Sequence, residues 1–268
     1  MVKSEIFGTR KSIFKKRIAA IDGFEIIEKI WFCTCLYKYN KDPETRYSFL
    51  FECSSEKDFL NKKMDFLKKF SKRKVSLIKI LIKKGKIKFF DCSTKKIKEF
   101  PYDREGNNKL AAKYLLSKIG CLDGKLIPAK TSLIDSQDVS ELSKFLRKDL
   151  FGRVAAADLD FVLLKDNSLI LIEEKLFLER GIEGSIGKGQ FISFKEILKD
   201  VLDLDKNIKW YILFYDNKDF FSYNFLNEIQ YIPHRERKDF IRNEVRVIID
   251  KSDLEKINIL KLIKNIEK

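Results

Sequence analysis

The stretch from 155 to 175, AAADLDFVLLKDNSLILIEEK, constrains this chain more than any other part of it. Residues 161–164 and 169–172 are short runs of aromatic, β-branched and aliphatic side chains, separated by the polar set Lys165-Asp166-Asn167-Ser168. Two such runs around a turn-forming segment predict a β-hairpin closed by a four-residue loop. Strand side chains alternate between faces. Glu173 and Lys175 therefore share a face with Leu169 and Leu171, while Glu174 shares the other with Ile170 and Ile172. The same rule puts Asp158 and Asp160 together on one face of the first strand. In-register pairing brings Asp160 close to a cross-strand position from Glu173, with a lysine beside them.

Those residue types in that pattern point to phosphodiester chemistry. Mg²⁺ takes hard oxygen ligands and needs only one or two carboxylates, because it keeps several waters and completes its shell from a phosphate. A bound divalent ion stabilises charge on a scissile phosphate and lowers the pKa of a bound water. A nearby lysine can orient that water as its ammonium or deprotonate it as the neutral amine, a form that partial desolvation favours by lowering its pKa. An acid-x-lysine triplet on an exposed edge strand also serves to block aggregation. At the end of an apolar run, however, burying such groups unpaired is costly, which argues for a use.

Asp160, Glu173 and Lys175 resemble the PD-(D/E)xK nuclease signature, an aspartate early on one strand followed by an acid-x-lysine on the next; here the aspartate and the acid are thirteen residues apart. The signature proline is missing, since Leu159 precedes Asp160 and Ala157 precedes Asp158. Asp158 thus competes for the role of primary ligand, although LDFVLL gives Asp160 the better match. The resemblance implies that Asp160 and Glu173 are metal ligands, joined by the backbone carbonyl of Glu174, and that Lys175 acts on the attacking water. Residues 136–150 (SQDVSELSKFLRKDL) read as an amphipathic helix with Val139, Leu142, Phe145, Leu146 and Leu150 on one stripe. The family commonly carries another acid on such a helix; Glu141 is the candidate, with Asp149 as its competitor. Residues 190–194 (QFISF) resemble the QxxxY element of the exonuclease branch with phenylalanine in place of tyrosine, and Gln190 could hold a metal-bound water or a base edge. With a buried strand at 210–215 (WYILFY), the order helix, hairpin, helix, strand matches the family core.

Charge supplies an independent clue. The chain has 268 residues and carries 55 Lys+Arg against 40 Asp+Glu, a net of +15. Residues 1–100 hold 26 basic and 12 acidic side chains, which leaves the rest nearly neutral. The density peaks over 61–90, where Lys62, Lys63, Lys68, Lys69, Lys72, Arg73, Lys74, Lys79, Lys83, Lys84, Lys86 and Lys88 face a single acid, Asp65. A merely lysine-biased composition would be basic throughout, as in heat-adapted chains. Confinement to one region instead predicts a surface for a polyanion, giving affinity and salt dependence without reading sequence. Lys68, Lys69, Lys72, Arg73, Lys74, Lys83, Lys84 and Lys86 are the candidate nucleic-acid contacts. No amphipathic basic helix carries a lipid-suited aromatic face, so a membrane is not expected as the partner.

The organisation follows. Strands are predicted over 30–39 and 46–53, a helix over 55–70 capped by Ser54 or Ser55 with Asp58 in its first turn, and a hairpin over 75–82 and 86–92 about Gly85. Residues 101–108 (PYDREGNN) read as a linker, 110–119 as a helix ending at Gly120, and 252–267 as a terminal amphipathic helix. The expected class is α/β, with a basic α+β nucleic-acid-binding domain over 1–105 and a restriction-endonuclease-like core, a mixed sheet flanked by helices, over 106–268.

Other chemistries are set aside. Cys33, Cys35, Cys53, Cys92 and Cys121 are odd in number and lie largely in apolar runs, which reads as reduced core thiols of a cytoplasmic protein rather than a zinc or iron-sulfur set. His234 is the only histidine, which excludes histidine-pair zinc hydrolysis and HNH-type chemistry. The first residues lack the apolar region of a secretory leader, and no stretch approaches the ~20 apolar residues of a membrane span. The expectation is a Mg²⁺-dependent DNA endonuclease (Mn²⁺ also serving), restriction-like or structure-specific, which leaves 5′-phosphate and 3′-hydroxyl ends by in-line water attack. An exonuclease of the same superfamily and a non-cleaving nucleic-acid-binding protein are the alternatives. RNA stays open as a substrate, and a homodimer as an assembly.

Overall fold

A computed structural model describes residues 23–35, 47–61, 64–72, 75–121, 140–150, 153–176, 183–215, 220–224, 235–239 and 244–257, with positions 19, 261 and 264. It is an α/β protein with mixed sheet pairing, a small three-stranded sheet and few helices. Two compact units divide the chain: Lys29–Asp158, and Met1–Glu28 together with Leu159–Lys268. The boundary expected between 105 and 106 falls inside the first of them.

The Lys29–Asp158 unit holds 30 Lys+Arg against 16 Asp+Glu, so nearly all the net positive charge of the chain resides there. Its strands β1 (Glu25–Cys35), β2 (Tyr47–Glu52), β3 (Val75–Lys83), β4 (Lys86–Asp91) and β5 (Lys96–Pro101) lie in sequence order. All the pairings are antiparallel except β2 with β3. A parallel pair needs a crossover, supplied here by two short helices, α1 (Lys57–Leu60) and α2 (Phe66–Phe70). The single helix expected over 55–70 is thus broken, and the break has a cause. Lys79 of β3 is buried, and its ammonium donates to the carbonyls of Asp58 and Phe59, each at 3.0 Å, and of Asn61. These C-terminal carbonyls of α1 are held by a side chain instead of the next helical turn. Asp58 works as expected at the start, accepting from the backbone N–H groups of Ser54 and Ser55 at 2.9 Å.

One face of this sheet is covered by α3 (Lys109–Ile119) and α4 (Glu141–Asp149). Ile78, Ile80, Ile87 and Phe89 pack there against Ala112, Leu115, Ile119, Leu142, Phe145 and Leu146. The stripe read from α4 is therefore its buried face, and Ser140 caps it by accepting from the Ser143 N–H at 3.2 Å. Residues 136–139 and 40–44 lie outside the described residues. Helix α3 ends at Gly120, whose φ of +80° is the left-handed cap that glycine adopts without penalty. Residues 101–108 are not a free linker. Pro101 belongs to β5, and Asn108 donates from its side-chain amide to Asp149 Oδ2 at 2.9 Å, tying the two helices together.

The other unit carries β6 (Val154–Lys165), which begins within the Lys29–Asp158 unit, and β7 (Ser168–Leu176), β8 (Glu183–Gly187), α5 (Lys188–Glu196) and β9 (Ile208–Tyr215). A π-helical turn, Ile197–Val201, extends α5. After β9 come β10 (Phe220–Asn224), β11 (Arg235–Asp239), β12 (Glu244–Asp250) and β13 (Glu255–Ile257). Strand order is β6-β7-β9-β10-β13, with β7 and β9 parallel, and β11-β12-β8 form the small antiparallel sheet. The terminal helix expected from Ser252 does not begin there: a 3-10 turn, Lys251–Asp253, leads into β13, which hydrogen-bonds β10. Cys33, Cys53 and Cys92 are free thiols, and burial pushes the Cys53 thiol up to about 12. Cys121 is disulfide-bonded, against the expectation of five reduced cysteines.

Candidate active site on the β6–β7 hairpin

The hairpin read from the sequence forms in the expected register: Phe161 faces Ile172, Val162 faces Leu171, and the ladder closes at Lys165 opposite Ser168. The turn is tighter than the four-residue loop expected, because Lys165 and Ser168 still pair and only Asp166-Asn167 turn the chain. Asp166 takes a left-handed φ of +50°, a conformation that aspartate tolerates better than most residues. Continued by one residue, this register sets Asp160 opposite Glu173.

The ladder stops at that point for a chemical reason. Asp160 Oδ2 accepts from the backbone N–H of Glu174 at 2.7 Å, so a carboxylate takes the place of a strand carbonyl. A strand residue's N–H and C=O point to the same edge, so the Glu174 carbonyl faces the Asp160 side as well. Its side chain is buried on the opposite face of β7.

Glu173 is 1% exposed, and the residues around it explain how a carboxylate is held there. Parallel pairing of β7 with β9 aligns Leu171 with Trp210, Glu173 with Ile212 and Lys175 with Phe214, so all six share one face. Helix α5 covers that face, with the Phe194 and Trp210 ring centroids 4.7 Å apart. Gln190, one turn before Phe194, therefore points along the same helix side and donates from Nε2 to Glu173 Oε1 at 2.9 Å. The Lys175 ammonium pairs with the same oxygen. Gly184 of β8 lies so close to the Phe214 ring that a Cβ there would sit 2.5 Å from a ring carbon; only glycine fits this approach.

Of the sequence candidates, Glu173, Lys175 and Gln190 meet directly, and Asp160 bonds the backbone between Glu173 and Lys175. Asp158 is exposed. Glu141 belongs to the Lys29–Asp158 unit, where Tyr102 Oη donates to its carboxylate at 3.2 Å and Arg104 and Lys144 pair with it at 3.3 and 3.4 Å. Burial and the Glu141 charge push the Tyr102 phenol well above its ordinary value. Asp149 is likewise engaged, by Asn108.

Two hard carboxylates and a carbonyl suit Mg²⁺ or Mn²⁺ in donor type and number. Among the described residues, no three His, Cys, Asp or Glu side chains gather as a ligand set, so a divalent ion here would depend on a carboxylate pair plus backbone and phosphate oxygens.

The candidate lysines divide by environment. Lys68 pairs with Asp65 at 3.3 Å, and Lys86 with Glu99 at 2.6 Å. Lys69 lies 5.9 Å from the centre of the Phe70 ring. Lys72, Lys83 and Lys84 are exposed. Arg73, Lys74 and His234 lie outside the described residues. Lys79, part of the same basic run, is not a surface charge at all. Glu56, just before α1, and Glu99, directly opposite Lys88 in the β4–β5 pairing, were missed in the sequence reading and pair with Lys88 at 2.7 and 2.9 Å; pairing 96–101 as a further strand would have found Glu99. No described helix is long and apolar enough to cross a membrane.

No protein-family model matches this chain, and no curated protein does.

Proposed function

We propose that the chain is a divalent-metal-dependent nuclease of the PD-(D/E)xK type, with a restriction-endonuclease-like core built on the β6–β7 hairpin and DNA as its substrate. The observation that carries this reading is the convergence of Glu173, Lys175 and Gln190 at one carboxylate oxygen, with Asp160 bonded to the backbone between the first two. Asp160 and Glu173, with the Glu174 carbonyl, would hold Mg²⁺ or Mn²⁺. A bound ion supplies charge stabilisation at the phosphate and a water of lowered pKa. Gln190 fixes the rotamer of Glu173, and burial under α5 keeps that carboxylate from solvent. Lys175, 22% exposed, would orient an attacking water as its ammonium, or take up the water's proton as the neutral amine. The lysine-rich unit would hold the nucleic acid through its phosphates.

Within this class the reading is an endonuclease, with RNA as the other polymer the same chemistry would accept. Gln190 on Glu173 gives the exonuclease branch its support, since that branch carries an amide at this place. A second reading has its own observation: Glu173 already balances Lys175, as it would in a non-cleaving binding protein where the pair only stabilises the hairpin.

Metal binding separates these without reference to turnover. Mn²⁺ should raise the melting temperature of the wild-type protein and leave Asp160→Ala unmoved; equal shifts in both would place any bound ion elsewhere. Closed circular against linear DNA then separates the subclasses, because only an endonuclease opens the circle.

A further inference from the structure

The end of the β3–β4 hairpin breaks two local rules at once. Lys83 and Lys86 stand directly opposite each other in the last pair of the ladder. Like charges at such a position repel, and this is an interior hairpin of the sheet rather than an edge that needs lysines against aggregation. The turn between them is Lys84-Gly85, both with left-handed φ, +52° and +68°. Turns of this kind favour asparagine, aspartate or glycine at the first position, and here a third lysine occupies it.

These residues border a cleft of about 290 Å³ lined by Ser55, Glu56, Leu81, Lys83, Lys84, Lys86 and Lys88. It lies on the face opposite the α3–α4 layer, because Leu81, Lys83, Lys86 and Lys88 alternate with the core residues Ile80, Ile82, Ile87 and Phe89. The four lysines are not equivalent. Glu99 binds Lys86 and Lys88, and Glu56 binds Lys88. Hydrogen bonds to Glu56 and Glu99 push the Lys88 ammonium up to about 12. Lys83 and Lys84 form no ion pair among the described residues.

We infer that this cleft binds a phosphomonoester, supplied by the terminal phosphate of a nucleic-acid strand or by a free nucleotide. A phosphodiester brings a single negative charge, whereas a monoester carries about −1.5 to −2 at neutral pH, the match for two ammoniums lacking a carboxylate. The cleft volume stands at the lower end of the ~300–1,000 Å³ of small-ligand sites, too small for a duplex and suited to one nucleotide. Ion pairs with Glu56 and Glu99 hold Lys86 and Lys88 in place, so that part of the site is ordered before a ligand arrives. The inference rests on the proposed nucleic-acid role of this unit for the source of the phosphate, and is independent of cutting.

The test uses the full-length protein in EDTA, where no metal-dependent cleavage occurs. Binding is measured for one single-stranded oligonucleotide bearing a 5′-phosphate, a 3′-phosphate or hydroxyls at both ends, with a nucleoside monophosphate and inorganic phosphate as competitors. One phosphorylated end should bind about tenfold more tightly than the hydroxyl form, the scale of one charge-assisted hydrogen bond. That preference should fade below about pH 6, where the monoester loses its second charge. It should vanish in Lys83→Ala/Lys84→Asn, whose asparagine suits the turn. Competition by the nucleoside monophosphate identifies a free nucleotide as sufficient, and competition only by phosphorylated strands identifies the strand end. Equal affinity for phosphate and hydroxyl ends, or a preference that survives in the folded double variant, overturns the inference. If no strand binds at all, the nucleic-acid reading fails; a rise in melting temperature with inorganic phosphate, absent in the double variant, would still support the cleft. Loss of cutting in Asp160→Ala bears on the nuclease reading alone.

Discussion

The β6–β7 and β3–β4 hairpins share an architecture and use charge in opposite ways. Each is an antiparallel pair closed by a two-residue turn whose first residue has left-handed backbone, Asp166 of Asp166-Asn167 in one and Lys84 of Lys84-Gly85 in the other. In the first, charge collects at the open end under a cover: an acid bonds a backbone N–H, and a buried acid is balanced by a lysine and an amide. In the second, lysines collect at the turn, in the open, with Lys83 facing Lys86 and acids paired to Lys86 and Lys88 alone among the four described lysines there. Balanced, desolvated groups hold geometry, as chemistry requires. Unbalanced, solvated groups hold attraction, as capture of a polyanion requires.

The comparison can be broken most forcefully at the cover. Phe194→Ala removes a buried ring that packs on Trp210 and should cost about 3–5 kcal/mol in denaturant unfolding. It should also free Gln190 from Glu173, whereas loss of stability with normal cutting would show that the helix does not position the site. Lys79→Met tests whether the basic run is uniform. It leaves the carbonyls of Asp58, Phe59 and Asn61 without their ammonium and should cost about 1–3 kcal/mol while leaving DNA affinity unchanged; weakened binding at full stability would make Lys79 a ligand contact.

Asp91, at the base of β4, offers a pH readout. Burial alone would raise its carboxyl pKa, but hydrogen bonds from Lys118 and Ser93, with the backbone N–H groups of Ser93 and Thr94, hold it well below the usual range. A depressed folded-state pKa contributes stability that is present above the unfolded value of ~3.9 and is lost as pH falls below it toward the folded value. Melting temperatures of wild type and Asp91→Asn should therefore differ at pH 5 to 7 and converge in strong acid; a constant gap would mean that the side chain acts without its charge. The smallest effect is expected for Lys83→Glu. Placing opposite charge across from Lys86 should stabilise the protein by about 0.2–1 kcal/mol while weakening phosphate binding. Destabilisation instead would mean that the lysine pair is not repulsive.

The two hairpins were also legible to different degrees. Alternation over 161–175 set the register, and with it the facing of Asp160 and Glu173, because one buried face makes a slip by one residue costly. Gln190 was singled out by its place in the QxxxF element, but its contact with Glu173 was not read from the sequence. What escaped the sequence depended on distant partners. The break in the 55–70 helix is made by Lys79, between 18 and 21 residues from the carbonyls it binds. Strand β5 lacks the period-2 signal, since its residues are exposed or half-buried on both faces. The division into units crosses β1 and β6, where no proline, glycine or polar run marks a boundary; in β1 it falls at Lys29, which has a φ of +59°.

The central claim is that the β6–β7 hairpin cuts nucleic acid. It is tested most directly by cleavage of labelled duplex, single-stranded and branched DNA and of RNA in Mg²⁺ or Mn²⁺, with Asp160→Ala and Lys175→Ala beside the wild type and binding measured in EDTA. Metal-dependent cutting that falls by on the order of 10²–10⁴ in both variants, with metal-free binding retained, is the expected result. Cutting that persists in both variants, or no cutting of any substrate by a wild-type protein that still binds it, would contradict the claim.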